Sequence, residues 1–110
     1  MKIEGDRIYF PEGDYVECSY PIHSHVTFGD ILIVLLDLPI KVPNNRNVMA
    51  YDMKGNMLWQ IENLFPNDKW CHYNLIRTDE NDLIHLYNWC GFVVKLDPFT
   101  GKVLQRIFTK

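Results

Sequence analysis

The 110-residue chain has no long hydrophobic run, no surplus of basic charge and no paired-cysteine motif. Each absence closes off a class of function. The longest uninterrupted apolar stretch, Ile31 to Leu36, is six residues, against the roughly 18 or more that a membrane-spanning helix requires. Eleven basic and fourteen acidic residues leave a net charge of −3, whereas a free-standing nucleic-acid binder carries a basic excess. Cys18, Cys71 and Cys90 are an odd number and form no Cys-x-x-Cys pair. That argues against a disulfide framework or a thiolate zinc site, and for reduced thiols in a cytoplasm. The opening residues, Met1-Lys2-Ile3-Glu4-Gly5-Asp6, lack the apolar core of a secretory leader, which again makes a cytoplasmic location the expectation.

What is present is the composition of one ordinary folded domain, with 47% hydrophobic and 14% aromatic residues. Apolar content this high with little net charge is incompatible with disorder. A chain of this mass should fold to a surface of roughly 6,400 Å², burying about two-thirds of what it exposes unfolded.

A repeat organises the chain. Tyr9-Phe10-Pro11-Glu12-Gly13-Asp14-Tyr15-Val16, Tyr51-Asp52-Met53-Lys54-Gly55-Asn56-Met57-Leu58 and Leu96-Asp97-Pro98-Phe99-Thr100-Gly101-Lys102-Val103-Leu104 share a β-rich run, a Gly-bearing turn and a second β-rich run. Their glycines lie 42 and 46 residues apart (13 to 55, 55 to 101). Glycine accepts the positive φ that such turns need. Between them, the stretches His25 to Leu35 and Asn74 to Leu86 each read as strand, turn, strand. The alternation of Met57, Trp59 and Ile61 against Leu58 and Gln60 has the period of a strand, and no stretch shows a capped helical stripe.

The expected fold is therefore all-β, with about ten short strands near 2–10, 14–20, 23–28, 31–36, 47–52, 57–62, 72–78, 83–88, 92–97 and 103–108. These group into an N-terminal hairpin (1–22) and two four-stranded units (23–62 and 63–110) within one domain. Ile31 to Leu36 is apolar on both faces, the pattern of a strand covered on both sides.

Four short antiparallel strands recurring every 40–50 residues resemble β-propeller blades. Asp97-Pro98-Phe99-Thr100-Gly101-Lys102 is similar to the Asp-x-x-Thr-Gly-Lys turn of quinoprotein-type blades, and WD-type repeats share the general pattern. Asp52, Gly55 and Trp59 resemble the same turn, with Trp59 where those blades carry a docking Trp; the third hairpin has Gln105 there. The resemblance implies a partial propeller of about two and a half blades. A closed ring takes four to eight, so neither ring closure nor a quinone cofactor follows from the likeness. Blade faces that a ring would bury then need a cover, from a partner or from a second copy in a homo-oligomer.

Motifs for chemistry are sparse. His23 and His25 share one strand face and could reach one metal, with Cys71, His72 and His85 as conceivable further ligands; a zinc-binding protein is thus one alternative. The simpler reading makes them ordinary strand residues. No local pattern joins a thiol to a base, and the acidic clusters fall in turns, where Asp is expected for turn geometry. No catalytic residue, metal or cofactor is assigned. Trp59 reads as core, while Trp70 and Trp89 lie in turn-rich segments where exposure and burial are equally consistent with the sequence.

The segment Asp37 to Asn47 stands out because Asp30 to Asp52 spans 22 residues where Asp82 to Asp97 spans 15. It carries Leu38, Ile40 and Val42 together with two stiffening prolines. In size, mild acidity and lack of chemistry the chain resembles bacterial toxin-immunity proteins, such as those of contact-dependent growth inhibition. That resemblance implies a partner, a basic toxin domain such as a nuclease, held by Asp37, Leu38 and Ile40, by Asp68 and Trp70, and by Asp79 and Glu80. Carboxylates would meet the toxin's Lys or Arg while apolar groups exclude water.

Overall fold

Eleven strands and no helix make up the computed structural model, which describes residues 1–68 and 70–109. They form three separate antiparallel sheets, none closed into a barrel. The first contains β1 (Lys2–Glu4), β2 (Arg7–Tyr9) and β3 (Tyr15–Glu17). The middle sheet contains β4 (Ile22–Phe28), β5 (Ile31–Leu36), β6 (Val48–Tyr51) and β7 (Met57–Gln60). The last contains β8 (Tyr73–Thr78), β9 (Ile84–Asn88), β10 (Phe92–Leu96) and β11 (Val103–Phe108). In each sheet the strands pair in chain order. The exposed area, 6,436 Å², is what a compact chain of this mass should show.

Two details correct the sequence reading. Residues 2–10 are two strands, because Gly5 takes a φ of +60° and folds β1 back onto β2. The N-terminal unit is thus a three-stranded sheet, and the strand total is eleven. β3 also ends early, at Glu17: the Cys18 N–H still bonds the Asp6 carbonyl at 2.7 Å in the same register, but Asp6 already belongs to the turn at Gly5.

The sheets stack face on face around two cores. Ile8 and Phe10 of the first sheet meet Leu32, Val34, Met49 and Tyr51 of the middle one. The opposite face of the middle sheet sends Ile33, Leu35, Val48, Ala50, Trp59 and Ile61 against Ile76, Ile84, Leu86, Val94 and Leu96 of the last. Alternate residues of β5 therefore enter different cores, and Leu32 to Leu36 are all buried. Burying a branched aliphatic side chain is worth about 1.5–3 kcal/mol, so this doubly covered strand is the centre of the stack.

One end of the stack carries the repeated turns. Trp59 leans over the turn between β10 and β11, and its Nε1–H donates to the Pro98 carbonyl at 2.9 Å. A Cβ on Gly101 would fall 2.5 Å from that indole, so only glycine lets the Trp seat there. Gly55 is met in the same way by Phe10 and Val16 of the preceding sheet. Each module thus packs an aromatic onto the glycine turn of the next.

Candidate functional site

The other end of the stack gathers the β5–β6 loop, the β7–β8 connection and the β9–β10 turn. Loop 37–47 is fastened by its own polar residues rather than by apolar burial alone. Asn47 donates from Nδ2 to the carbonyls of Leu36 and Tyr73, both at 2.9 Å, and its Oδ1 accepts the Tyr73 N–H at 3.0 Å. Asn45 donates to the Phe65 carbonyl at 2.8 Å, and the Arg46 Nε–H donates to the Ile61 carbonyl at 2.8 Å. Both asparagines are buried. One loop is therefore stitched to two sheets.

A disulfide completes the end. Cys71, just before β8, is bonded to Cys90, just after β9, with Cα atoms 5.4 Å apart. This corrects the expectation of three reduced thiols. The two half-cystines are brought together by β8–β9 pairing, which sets Tyr73 opposite Asn88. Disulfides persist in oxidising compartments, so cysteine usage no longer argues for a reducing one. Cys18 alone is free; it is buried, and burial pushes its thiol above the usual range.

The disulfide places Trp70 and Trp89, each the residue before a half-cystine, beside one another. They are 54% and 61% exposed, and Ile40 at the tip of the loop is 82% exposed. With Lys41 and His72 they line an open cleft of about 490 Å³. A narrower recess next to it is lined by His23, Asp37, Leu38 and Asn74 and shares Ile40, His72 and Trp89. His72 is buried and its Nε2–H donates to the Val42 carbonyl, while the Trp89 N–H bonds the His72 carbonyl at 3.1 Å. The cleft walls are thus rigidly mounted although their large apolar groups face water. Large apolar groups clustered in the open are uncommon on monomers and mark interaction sites.

Five of the expected partner-binding residues lie at this end: Asp37, Leu38, Ile40, Asp68 and Trp70. Asp68 is exposed, and its carbonyl accepts the Cys71 N–H at 3.2 Å. Asp79 and Glu80 lie elsewhere. They sit in the β8–β9 turn at the opposite end of β8, about 20 Å from its first residue at 3.3 Å per residue. Asp79 is occupied there. Its Oδ1 accepts the N–H groups of Asn81 and Leu83, and its Oδ2 lies 2.6 Å from His85 Nε2. The His85 bond, followed by these N–H groups, holds its carboxyl below the ordinary range.

Sequence reasoning left Lys41, His72 and Trp89 out of the site. The repeated Trp-Cys dipeptide at 70–71 and 89–90 is the signal that could have found the last of these. The imidazoles are scattered. His23 and His25 are exposed on β4, His72 is bound to the loop, and His85 is bound to Asp79. Among the described residues no three His, Cys, Asp or Glu side chains converge as a metal site would need.

A family model described as a domain of unknown function (DUF7957) matches residues 3–108. The chain belongs to that family. No curated protein matches it, and no solved structure does. The match runs from β1 through β11, so the DUF7957 unit includes all three sheets and the cleft.

Proposed function

We propose that the chain is a protein-binding module without chemistry of its own, and that it presents the Trp70–Trp89 cleft to its partner. The juxtaposition of two exposed tryptophans and Ile40 over a disulfide carries this reading. Tryptophan is enriched among the residues that dominate binding energy. A surface already locked by covalent and hydrogen-bonded struts has little conformational freedom left to lose on association. Cys18, the single free thiol, is buried, and the Asp79–His85 pair is tied into a turn, so neither offers a nucleophile to solvent.

Within that reading, the narrower proposal is neutralisation of a basic toxin domain in the manner of an immunity protein. It is supported by the net charge of −3 and by the exposed Asp37 and Asp68 near the apolar cleft. Partner cations would meet those carboxylates at the rim while an apolar side chain fills the cleft between the indoles.

The test is co-expression with a toxin encoded beside this chain, followed by titration of the purified pair. Trp70→Ala or Trp89→Ala should each weaken the complex by about 2 kcal/mol or more. Asp79→Lys with Glu80→Lys should leave it within about 0.5 kcal/mol. The opposite pattern would move the interface to the turn end and sink the cleft as the site.

A further inference from the structure

The last sheet has a face that its own chain does not cover. Ile84, Leu86, Val94 and Leu96 point into the core, so alternation turns His85, Tyr87, Val93 and Lys95 to the other side. Strand register extends these into two rows across the whole sheet. Leu75, Tyr87, Val93 and Ile107 stand side by side, and next to them Arg77, His85, Lys95 and Gln105. The first row is apolar: Leu75 is exposed, Tyr87 and Ile107 are half-buried, and Val93 is already buried between its neighbours. The second holds two cations, Arg77 and Lys95, neither of which makes an ion pair among the described residues.

The glycine frame shows what this face corresponds to. With Leu96 aligned on Tyr51, the residues Val93 and Lys95 take the places of Val48 and Ala50. Those two are fully buried in the middle sheet because another sheet lies on them. The equivalent face of the first sheet is covered as well, by the middle one. Two of three such faces in this molecule are closed by a sheet, and the third is open.

We infer that a second copy of this chain covers the face, last sheet against last sheet, with strands running antiparallel about a two-fold axis along the Leu75–Tyr87–Val93–Ile107 row. Head-to-tail stacking is disfavoured by the outer face of the first sheet. Continuing the repeat would set Val93 and Lys95 over Arg7 and Tyr9, placing the apolar row against Glu4, Arg7 and Glu17 and a cation beside a cation. That outer face is polar, as a terminal cap should be. Charge also selects the direction between two last sheets. Parallel strands would lay the basic row of one sheet directly upon that of the other, whereas antiparallel strands put the two basic rows on opposite sides of the apolar seam. Their separation is then about 14 Å at 3.4 Å per residue, beyond the screening length of about 8 Å. Apolar row meets apolar row, and the repulsion is removed.

Sedimentation equilibrium of the full chain, from low to high micromolar concentration, tests this. A reversible dimer is expected, and Leu75→Glu, at a surface position, should raise its dissociation constant by about tenfold or more. Far-UV circular dichroism checks that this variant keeps its sheets. A second measurement fixes the geometry. In a Cys18→Ser background, Tyr87→Cys lies on the axis and should cross-link to its counterpart in the second copy under mild oxidation, while Lys95→Cys should not. A monomer at every concentration overturns the proposal and leaves the face to a different protein. So does a dimer indifferent to Leu75→Glu, or open-ended growth through a Lys95→Cys and Tyr9→Cys cross-link. The Trp70→Ala variant should dimerise normally, which separates this face from the cleft.

Discussion

At the turn end of the stack, Asp52, Asp79 and Asp97 each fold a carboxylate onto backbone N–H groups two or four residues ahead. At the loop end, Asn45, Asn47, His72 and the Cys71–Cys90 bond reach across 19 to 30 residues of sequence to tie separate segments together. The first kind of bond organises a hairpin that would be a hairpin anyway. The second kind decides where one hairpin sits relative to another. Long-range bonds also seat one module on the next at the turn end, from Trp59 to the Pro98 carbonyl and from the Glu12 N–H to the Met53 carbonyl. But only the second end carries exposed tryptophans in a cleft, and its fasteners hold the loops that shape it. A binding surface assembled from three connections needs such fasteners, because loop residues have few apolar neighbours to hold them.

Asn47→Ala should break the comparison most sharply. The substitution strands the Tyr73 N–H and two carbonyls that Asn47 now satisfies. Each buried group left unpaired costs about 1–3 kcal/mol, so a loss of about 4 kcal/mol in urea unfolding is expected. No single carboxylate at the turn end should approach that, since its bonds are exposed or only half-buried and water can replace them. A loss below about 1 kcal/mol would show that the loop is held by something other than its asparagine.

Removing the disulfide comes next. Cys71→Ser with Cys90→Ser releases a loop of 19 residues, worth about 3 kcal/mol through the entropy of the unfolded chain. The readout that sharpens the contrast is spectral. Trp70 and Trp89 flank the bridge, whereas Trp59 is buried at the far end against Gly101. Hydrogen exchange should rise around 70–74 and 88–91 while the Trp59 indole stays protected. Equal loosening at both ends would mean that the stack behaves as one cooperative unit.

The same division explains what could be read from the sequence. β5 and the turns at Gly55 and Gly101 were legible because their causes are local: a doubly apolar run, an Asp at the head of a turn, a glycine where φ is positive. Even the Trp59 seat on Gly101 could be inferred, since the repeat places both at fixed offsets. The break at Gly5 was missed because one glycine inside a β-rich run does not say whether the chain bulges or folds back. The Cys71–Cys90 bond was missed for a different reason. Counting three cysteines spoke against pairing, and only the register of β8 on β9 brings those two within reach. Asn45 and Asn47 gave no signal, because Asn just after a proline in a loop is ordinary turn composition and their partners, Phe65 and Tyr73, are distant in the chain. Asp79 and Glu80 were grouped with the loop by charge, although strand length alone puts a turn after β8 far from one before it.

Acid offers the gentlest way to separate the ends. The Asp79 carboxyl is held low first by His85 and then by the N–H groups of Leu83 and Asn81, and Asp52 first by the backbone and then the side chain of Asn56. A carboxyl whose folded value is depressed contributes stability that is fully present above its unfolded value of about 3.8, and loses it as pH falls through the lower folded value. The contribution is small because both groups are only half-buried and remain in reach of water. The bonds that hold Tyr73 at the loop end come from the Asn47 side-chain amide, which does not titrate. Lowering the pH from 5 to about 2.5 should therefore reduce the protection of the Lys54, Asn56, Asn81 and Leu83 amides, taken relative to the unfolded-chain exchange rate at each pH, before it touches Tyr73. In Asp79→Asn the Asn81 and Leu83 amides should lose that pH dependence while those of Lys54 and Asn56 keep it. If Tyr73 responds to acid as early as the turns do, the two ends are coupled through the sheets, and the cleft is less rigidly mounted than its fasteners suggest.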